Sequence, residues 1–90
     1  MEKAVHLSMN LNTTQEKILG SNPQRRYVLL VNDSDSVAYI GLGVTAVANQ
    51  GIRLNANGGS YEINLTNPFH GEIYGVSAGV TKRLTITEIS

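Results

Sequence analysis

The chain has 90 residues, fewer than the about 100 to 200 that one domain usually takes, so we predict a single domain over residues 1–90. Seven basic and seven acidic residues cancel to a formal charge of +0, which argues against binding to nucleic acid or to an anionic membrane. The sequence has no cysteine, which excludes disulfides and thiolate chemistry, and its longest apolar run, residues 27–31, is far shorter than the about 20 residues of a membrane helix.

The first predicted element is a strand over residues 3–12, where apolar and polar residues alternate strictly. This two-residue period is typical of a strand with one face on a core and the other in water. Residues 14–19 predict a short second strand, which ends at the turn-forming cluster of residues 20–23. Residues 25–31 carry apolar side chains on both faces, a pattern that favours a central strand.

The middle of the chain predicts a turn, a strand, a loop and a hairpin. Residues 32–36 are short polar residues that favour a turn, and residues 37–42 return as a strand. Residues 43–50 are too rich in β-branched side chains for a stable helix, so we predict a loop there. Residues 52–54 and 61–65 flank a Gly-Gly turn and predict a hairpin.

Residues 71–76 and 82–89 predict a second hairpin, closed by a Ser-Ala-Gly turn. The chain therefore contains about seven or eight short strands without any sustained helical period. This arrangement predicts an all-β fold, an antiparallel β-sandwich or a jelly-roll-like barrel.

One glycine-rich segment matches a nucleotide-binding pattern in form. Residues 41–46 read Gly-Leu-Gly-Val-Thr-Ala, as in the dinucleotide fingerprint with alanine in the last place. The mechanism of that fingerprint requires a helix N-terminus against the pyrophosphate, which the loop predicted for residues 43–50 does not supply. We therefore interpret these glycines as points where the backbone bends at a sheet edge, and we predict no cofactor.

Potential metal ligands and catalytic groups are few. Asp33 and Asp35 could approach one hard cation, but the sequence lacks the remaining ligands of a calcium loop, and a polar turn explains both. His6 and His70 are far apart, and zinc would need further carboxylates because cysteine is absent. No nucleophile elbow and no distinctive pair of carboxylates occurs, so we predict no metal site, no catalytic residue and no enzyme activity.

Six residues are candidates for contacts with a partner, in the first strand, at a strand start and in a late loop: Val5, Leu7, Arg25, Arg26, Phe69 and His70. The two arginines could meet the basic pair at residues 82–83 and form a binding patch, or they could guard a sheet edge against pairing. Phe69 either closes the end of the core or stands out as an apolar anchor.

Residues 26–35, 37–40, 51–55 and 58–63 together resemble small β-rich virion proteins of tailed bacteriophages. The shared pattern is R-x-x-L-x-x-N-x-S-D, a strand, G-I-x-L, and then G-G-x-Y-E-I. The resemblance extends over residues 23–89 and brings no catalytic residue. It implies a virion structural protein made in the bacterial cytoplasm and placed on the capsid exterior, either a capsid decoration protein or a tail or head fibre module.

The composition agrees with a docking role. Charged residues form 16% of the chain, against about 25% in ordinary globular proteins, so a broad surface can lose its water without burying unpaired ions. We expect a homo-oligomer, with a trimer as one option, that binds across subunits of the phage major capsid protein and stabilises the head. The alternative from another class is a fibre module that binds a receptor or a carbohydrate.

The strand at residues 1–12 has two possible partners. It can pair with the sheet of a neighbouring subunit, or it can pair within its own sheet. The sequence leaves both open.

Overall fold

The computed structural model describes residues 3–90 and shows an all-β protein, as predicted. The eight strands are β1 (Ala4–Leu11), β2 (Glu16–Leu19), β3 (Tyr27–Asn32), β4 (Ala38–Leu42), β5 (Ile52–Leu54), β6 (Ser60–Ile63), β7 (Ile73–Ser77) and β8 (Lys82–Ile89). Within this described part of the chain, no helix is long and apolar enough to cross a membrane.

The strands form two four-stranded antiparallel sheets. Sheet A has the order β1-β8-β3-β6, and sheet B has the order β2-β7-β4-β5. The first strand thus pairs with the last, and every connection except β4 to β5 passes from one sheet to the other. This is the strand order of a jelly roll, two interleaved Greek keys folded into a sandwich.

Both predicted hairpins are wrong in their pairing. β5 pairs with β4, β6 pairs with β3, and β7 and β8 lie in different sheets. The turns at residues 55–59 and 78–81 carry the chain across the sandwich instead of back along the same sheet. A local turn signal predicts that the chain reverses, but it does not determine which sheet the next strand joins.

The core lies between the two sheets. Alternate residues of β3 and β8 face inward, so that Val28, Leu30 and Leu84 are 0% exposed. They pack with inward residues of sheet B such as Ile40 and Ile73, which are at most 1% exposed. Strict alternation along each strand therefore produces the core.

Loops collect at two ends of the sandwich. One end holds the turns after β1, β3, β5 and β7, where the Thr81 amide donates to Asn12 Oδ1 at 2.9 Å and Lys82 contacts Asp35 at 2.7 Å. The other end holds residues 20–26, 43–51 and 64–72, and we call it the Arg25 end. There the Asn22 amide donates to the His70 carbonyl at 2.8 Å.

Candidate interaction surface

Arg25 forms the buried centre of the Arg25 end. Its side chain is 0% exposed, and Nε lies 2.7 Å from Glu88 Oε2. Nη1 donates to the carbonyls of Phe69 and Gly71 at 3.1 and 2.9 Å, and Nη2 donates to the Gly20 carbonyl at 2.8 Å. One guanidinium therefore ties two loops to β8. This corrects the sequence-based role of Arg25 as a contact residue, because its side chain does not reach the surface.

Phe69 is half-buried and packs against the core. Its ring lies over Gly71, where an added Cβ would come within 2.8 Å of Phe69 Cζ. Of the two roles predicted for Phe69, closing the end of the core is the one that the structure shows. His70, next to it, is exposed.

The two basic pairs do not form one patch. Arg26 is exposed and lies beside the end of β8, where its amide donates to the Ile89 carbonyl at 2.8 Å. Residues 82–83 begin β8 at the opposite end of the sandwich, and Lys82 is aligned with Leu11. The length of β8 separates the pairs, which removes the predicted combined patch.

The glycine-rich segment has no helix. Gly41 lies within β4, and the following residues form a loop that folds back over it, so an added Cβ would lie 2.5 Å from the Val44 carbonyl oxygen. Gly43 has a φ of 73°, a left-handed conformation that favours glycine at this turn. The dinucleotide fingerprint therefore lacks the helix that would bind a pyrophosphate.

The polar turn after β3 is organised by Asn32, whose side chain is buried. Its Nδ2 donates to the Ser36 and Leu54 carbonyls at 2.7 and 3.1 Å, and its Oδ1 accepts from the Ser34 hydroxyl at 2.7 Å. These bonds explain why the Asn-x-Ser pattern occurs at this position: it builds the turn.

Asp33 and Asp35 contact two different cations. Asp35 pairs with Lys82 at 2.7 Å, whereas Asp33 lies 4.0 Å from Arg83. The hydrogen bond from Lys82 and its positive charge lower the pKa of Asp35 below its ordinary value. Among residues 3–90, no group of three or more His, Cys, Asp or Glu side chains is arranged to hold a metal ion.

The outward faces of the two sheets differ. On sheet B, the loop at residues 43–51 lies against the face, with Asn49 Oδ1 accepting from the Tyr39 hydroxyl at 3.0 Å. Val76, at an outward position of the central strand β7, is only 4% exposed. On sheet A, the outward residues in the middle of the central strands β3 and β8 remain half-exposed, and Arg83, at the start of β8, is fully exposed.

The register of sheet A aligns these outward residues in rows across its strands. We call them the open face: Ala4, His6, Ser8, Asn10, Tyr27, Leu29, Val31, Ser60, Glu62, Arg83, Thr85, Thr87 and Ile89. Two of its members are charged at neutral pH, and both lie at the margin: Glu62 on the edge strand β6, and Arg83 at the start of β8. The Glu62 carboxylate accepts from the Tyr27 hydroxyl at 2.6 Å and from Asn64 Nδ2 at 3.2 Å. The hydrogen bond from Tyr27 to Glu62 raises the pKa of Tyr27 above its ordinary value.

Val5 and Leu7 lie on the opposite, core-side face of β1. They align with Glu88 and Ile86, yet they are 37% and 47% exposed because the opposite sheet covers them only in part. One edge of β1 pairs with β8 of the same chain along its whole length, which is one of the two predicted pairings. Its other edge has no neighbouring strand within residues 3–90, so pairing with a neighbouring subunit stays a prediction.

None of the six contact residues predicted from the sequence lies on the open face. The signal for this face was present in the strict spacing of Thr85 and Thr87, which places both hydroxyls on the side opposite Leu84 and Ile86. Only the pairing of β8 with β1 and β3 shows that these threonines lie in the middle of a broad sheet. Comparison of this chain with protein-family models, with curated proteins and with solved structures finds no match.

Proposed function

We propose that this chain is a non-enzymatic structural protein of a bacteriophage virion that binds the capsid exterior as a decoration protein. The observation that supports this proposal most directly is the open face of sheet A. It is broad, its centre carries no charged side chain, and its central residues stay half-exposed. Such a face can be buried against another protein.

The chemistry of the open face suits extensive contact. Removing a charged group from water without pairing it costs several kcal/mol, roughly, whereas a hydroxyl can donate to or accept from whichever group faces it. Thr85 and Thr87 supply hydroxyls at the centre, and Leu29 and Val31 supply apolar area beside them. Glu62 lies at the margin, and its carboxylate already has two donors.

The fold and the sequence resemblance give independent support. Jelly rolls occur in viral capsid proteins and in lectins, an analogy that concerns the fold alone. The residues that carry the resemblance build β3 to β6 and the Asn32 turn. The resemblance therefore concerns the strands and turns of the fold. Binding across capsid subunits would stabilise the assembled head, because a ligand that recognises only the assembled lattice shifts the equilibrium towards it.

A matched pair of threonine substitutions tests the proposal. Purified protein is mixed with heads of the phage that encodes it, and binding is measured by cosedimentation and by the temperature at which the heads disassemble. Thr85→Arg places a cation at the centre of the open face and should weaken binding by about tenfold or more, since a desolvated charge would be unpaired. Thr45→Arg, on the exposed loop over sheet B, should bind as the natural protein does.

Two outcomes would contradict the proposal. One is a protein that neither sediments with heads nor raises their disassembly temperature. The other is equal loss of binding in both variants, which would place the contact elsewhere on the molecule.

A fibre module that binds carbohydrate is the second candidate, and one polar cluster favours it. Asn67 Nδ2 donates to the Tyr61 hydroxyl at 3.2 Å and to the Glu62 carbonyl at 3.1 Å, beside the Tyr27–Glu62 pair. Tyrosine, amide and carboxylate groups together can hydrogen-bond sugar hydroxyls. Reproducible binding to a glycan array that Asn67→Ala abolishes would support this candidate, and binding to heads through Thr85 would not depend on Asn67.

A further inference from the structure

β1 differs from the other edge strands of this molecule. β2, β5 and β6 have four, three and four residues, and each contains a charged residue: Lys17, Arg53 and Glu62 respectively. β1 has eight residues and no charged residue or proline. Short length, charge and proline are the means by which proteins prevent pairing at a sheet edge, and β1 has none of them.

The hydrogen-bond pattern shows which backbone groups lie along the free edge of β1. Lys3 and Ser90 exchange two backbone hydrogen bonds, both of 3.0 Å, and in an antiparallel ladder such bonded pairs alternate with non-bonded pairs. The odd-numbered residues of β1 therefore direct their N–H and C=O groups to β8. The even-numbered residues, Ala4, His6, Ser8 and Asn10, direct theirs away from it.

We propose that this edge binds the same edge of a second copy of the chain, with β1 antiparallel to β1 about a two-fold axis at Leu7. In this register Leu7 faces Leu7 of the second copy, and Val5 faces Met9 of the second copy. The two copies of sheet A become one continuous sheet.

The symmetry of β1 about Leu7 selects a second copy as the partner. The edge-facing residues form symmetric pairs, with His6 opposite Ser8 of the second copy and Ala4 opposite Asn10 of the second copy. Every free backbone group from Ala4 to Asn10 then has a partner. Because β1 carries no charge, no like charges oppose each other across the axis.

The same register covers the exposed apolar residues on the core side of β1. Leu7 and Val5 are 47% and 37% exposed in the single chain. Across the new pairing they occupy non-hydrogen-bonded positions, where opposed Cα atoms are only about 4.5 Å apart and side chains contact closely. Apolar burial and backbone pairing therefore favour the same arrangement.

Dimerisation through β1 does not depend on the proposed virion function. A two-fold axis perpendicular to the sheet leaves the open faces of both copies on the same side, where they form one larger face. Failure to bind heads and failure to dimerise are separate observations, so each proposal is tested alone.

Mass measurement of the full chain is the first test. Light scattering and sedimentation, from about 1 μM to about 1 mM, should show a concentration-dependent species of twice the 9.7 kDa chain mass. Ser8→Lys places a charge beside the axis and should weaken the dimer by about tenfold or more. Ser60→Lys, on the opposite edge of sheet A, should leave the dimer unchanged.

Ser8→Pro provides a second variant. The Ser8 amide points to the free edge, so proline removes a donor from the dimer contact without removing a bond to β8. It should give a folded monomer with the same circular dichroism spectrum. A protein that is monomeric throughout the concentration range, a trimer, or a dimer that both Ser8 variants leave intact would overturn the proposal.

Cysteine cross-linking tests the register, since the natural chain has no cysteine. Leu7→Cys should form an intermolecular disulfide under mild oxidation, because Cα atoms about 4.5 Å apart lie within disulfide range. Ser60→Cys should not. A mixture of Val5→Cys and Met9→Cys chains should cross-link more efficiently than either variant alone. Equal cross-linking by Leu7→Cys and Ser60→Cys would overturn the register.

Discussion

Arg25 gives two of the three loops at its end of the sandwich, residues 20–26 and 64–72, a common anchor. A loop that must lie close to other loops brings backbone carbonyls away from water, and each such carbonyl needs a donor. The guanidinium supplies N–H groups in a fixed planar fork and bonds the carbonyls of Gly20, Phe69 and Gly71. Glu88 balances its charge within the same cluster.

Replacing Arg25 should therefore be severely destabilising. Arg25→Met removes the cation and leaves Glu88 and three carbonyls without their donor, which should lower the free energy of unfolding by about 3 to 5 kcal/mol. Urea denaturation followed by circular dichroism measures this change. Arg53→Met, at an exposed arginine, is the matched control and should change stability by less than about 0.5 kcal/mol. Equal effects in the two variants would contradict the structural role assigned to Arg25.

The sequence contains an indication that Arg25 is buried, but this indication lies in β8 and not beside Arg25. Leu84, Ile86 and Glu88 follow the same two-residue spacing, so Glu88 lies on the core side of β8. A carboxylate at an inward position requires a buried donor. The donor, Arg25, is distant in the sequence, so only the folded chain identifies the pair.

At the scale of elements, the two edges of β1 should differ in amide exchange. Bonds to β8 protect the amides of Val5, Leu7 and Met9, whereas those of His6, Ser8 and Asn10 face the free edge. In the monomeric Ser8→Lys variant, we expect odd-numbered amides to exchange about tenfold or more slowly than even-numbered ones. Hydrogen exchange followed by nuclear magnetic resonance resolves this alternation. Uniform exchange along β1 would contradict the pairing with β8.

Strand positions could be predicted from the sequence, but their partners could not. The strand predicted at residues 3–12 is β1 (Ala4–Leu11), and the one at residues 82–89 is β8, because alternation is a local property that a chain segment carries by itself. The pairing of β1 with β8 depends on segments at opposite ends of the chain. The Gly-Gly turn before β6 was therefore interpreted as a hairpin, although it connects strands of different sheets.

The candidate contact residues also show that local patterns can be predicted from the sequence, whereas contacts between distant segments cannot. Val5 and Leu7 were selected from alternation alone, and both are exposed on β1. Arg25 was selected from its charge, and charge does not reveal whether a side chain is buried. The open face follows from the alignment of four strands, a property that no single segment of sequence contains.

At the scale of the whole molecule, the ionisable groups at the surface lead us to expect a stability that changes little over a broad range of pH. The hydrogen bond from the Tyr74 hydroxyl and the ion pair with Lys17 lower the pKa of Glu72 below its ordinary value of 4.5. A lowered pKa in the folded state means that stability present above pH 4.5 is lost as the pH falls. The pKa values of Tyr74 and Lys17 are raised above 10.0 and 10.5, mainly by hydrogen bonds to Glu72. Their contribution is therefore present below those values and is lost at higher pH.

We accordingly expect the melting temperature to be level between about pH 5 and about pH 10 and to fall on both sides. The fall should be shallow, because these groups lie at the surface and solvent screens them. Glu72→Gln should lower the melting temperature slightly at neutral pH, and the difference from the natural protein should shrink as the pH falls below 4.5 and Glu72 becomes protonated. A constant difference across the acid range would contradict the role of Glu72.

Joining the first strand to the last has a consequence for synthesis on the ribosome. β1 emerges before β2 to β8, and its hydrogen-bonding partner β8 is the last of these eight strands to be translated. Throughout elongation, the nascent polypeptide carries an uncharged β-segment whose intended neighbour does not yet exist, a situation that slows folding and favours association between chains. Ribosomes that follow one another on one messenger RNA hold such segments close together. When translation initiates less often, the nascent chains are farther apart, and the yield of correctly folded protein should increase.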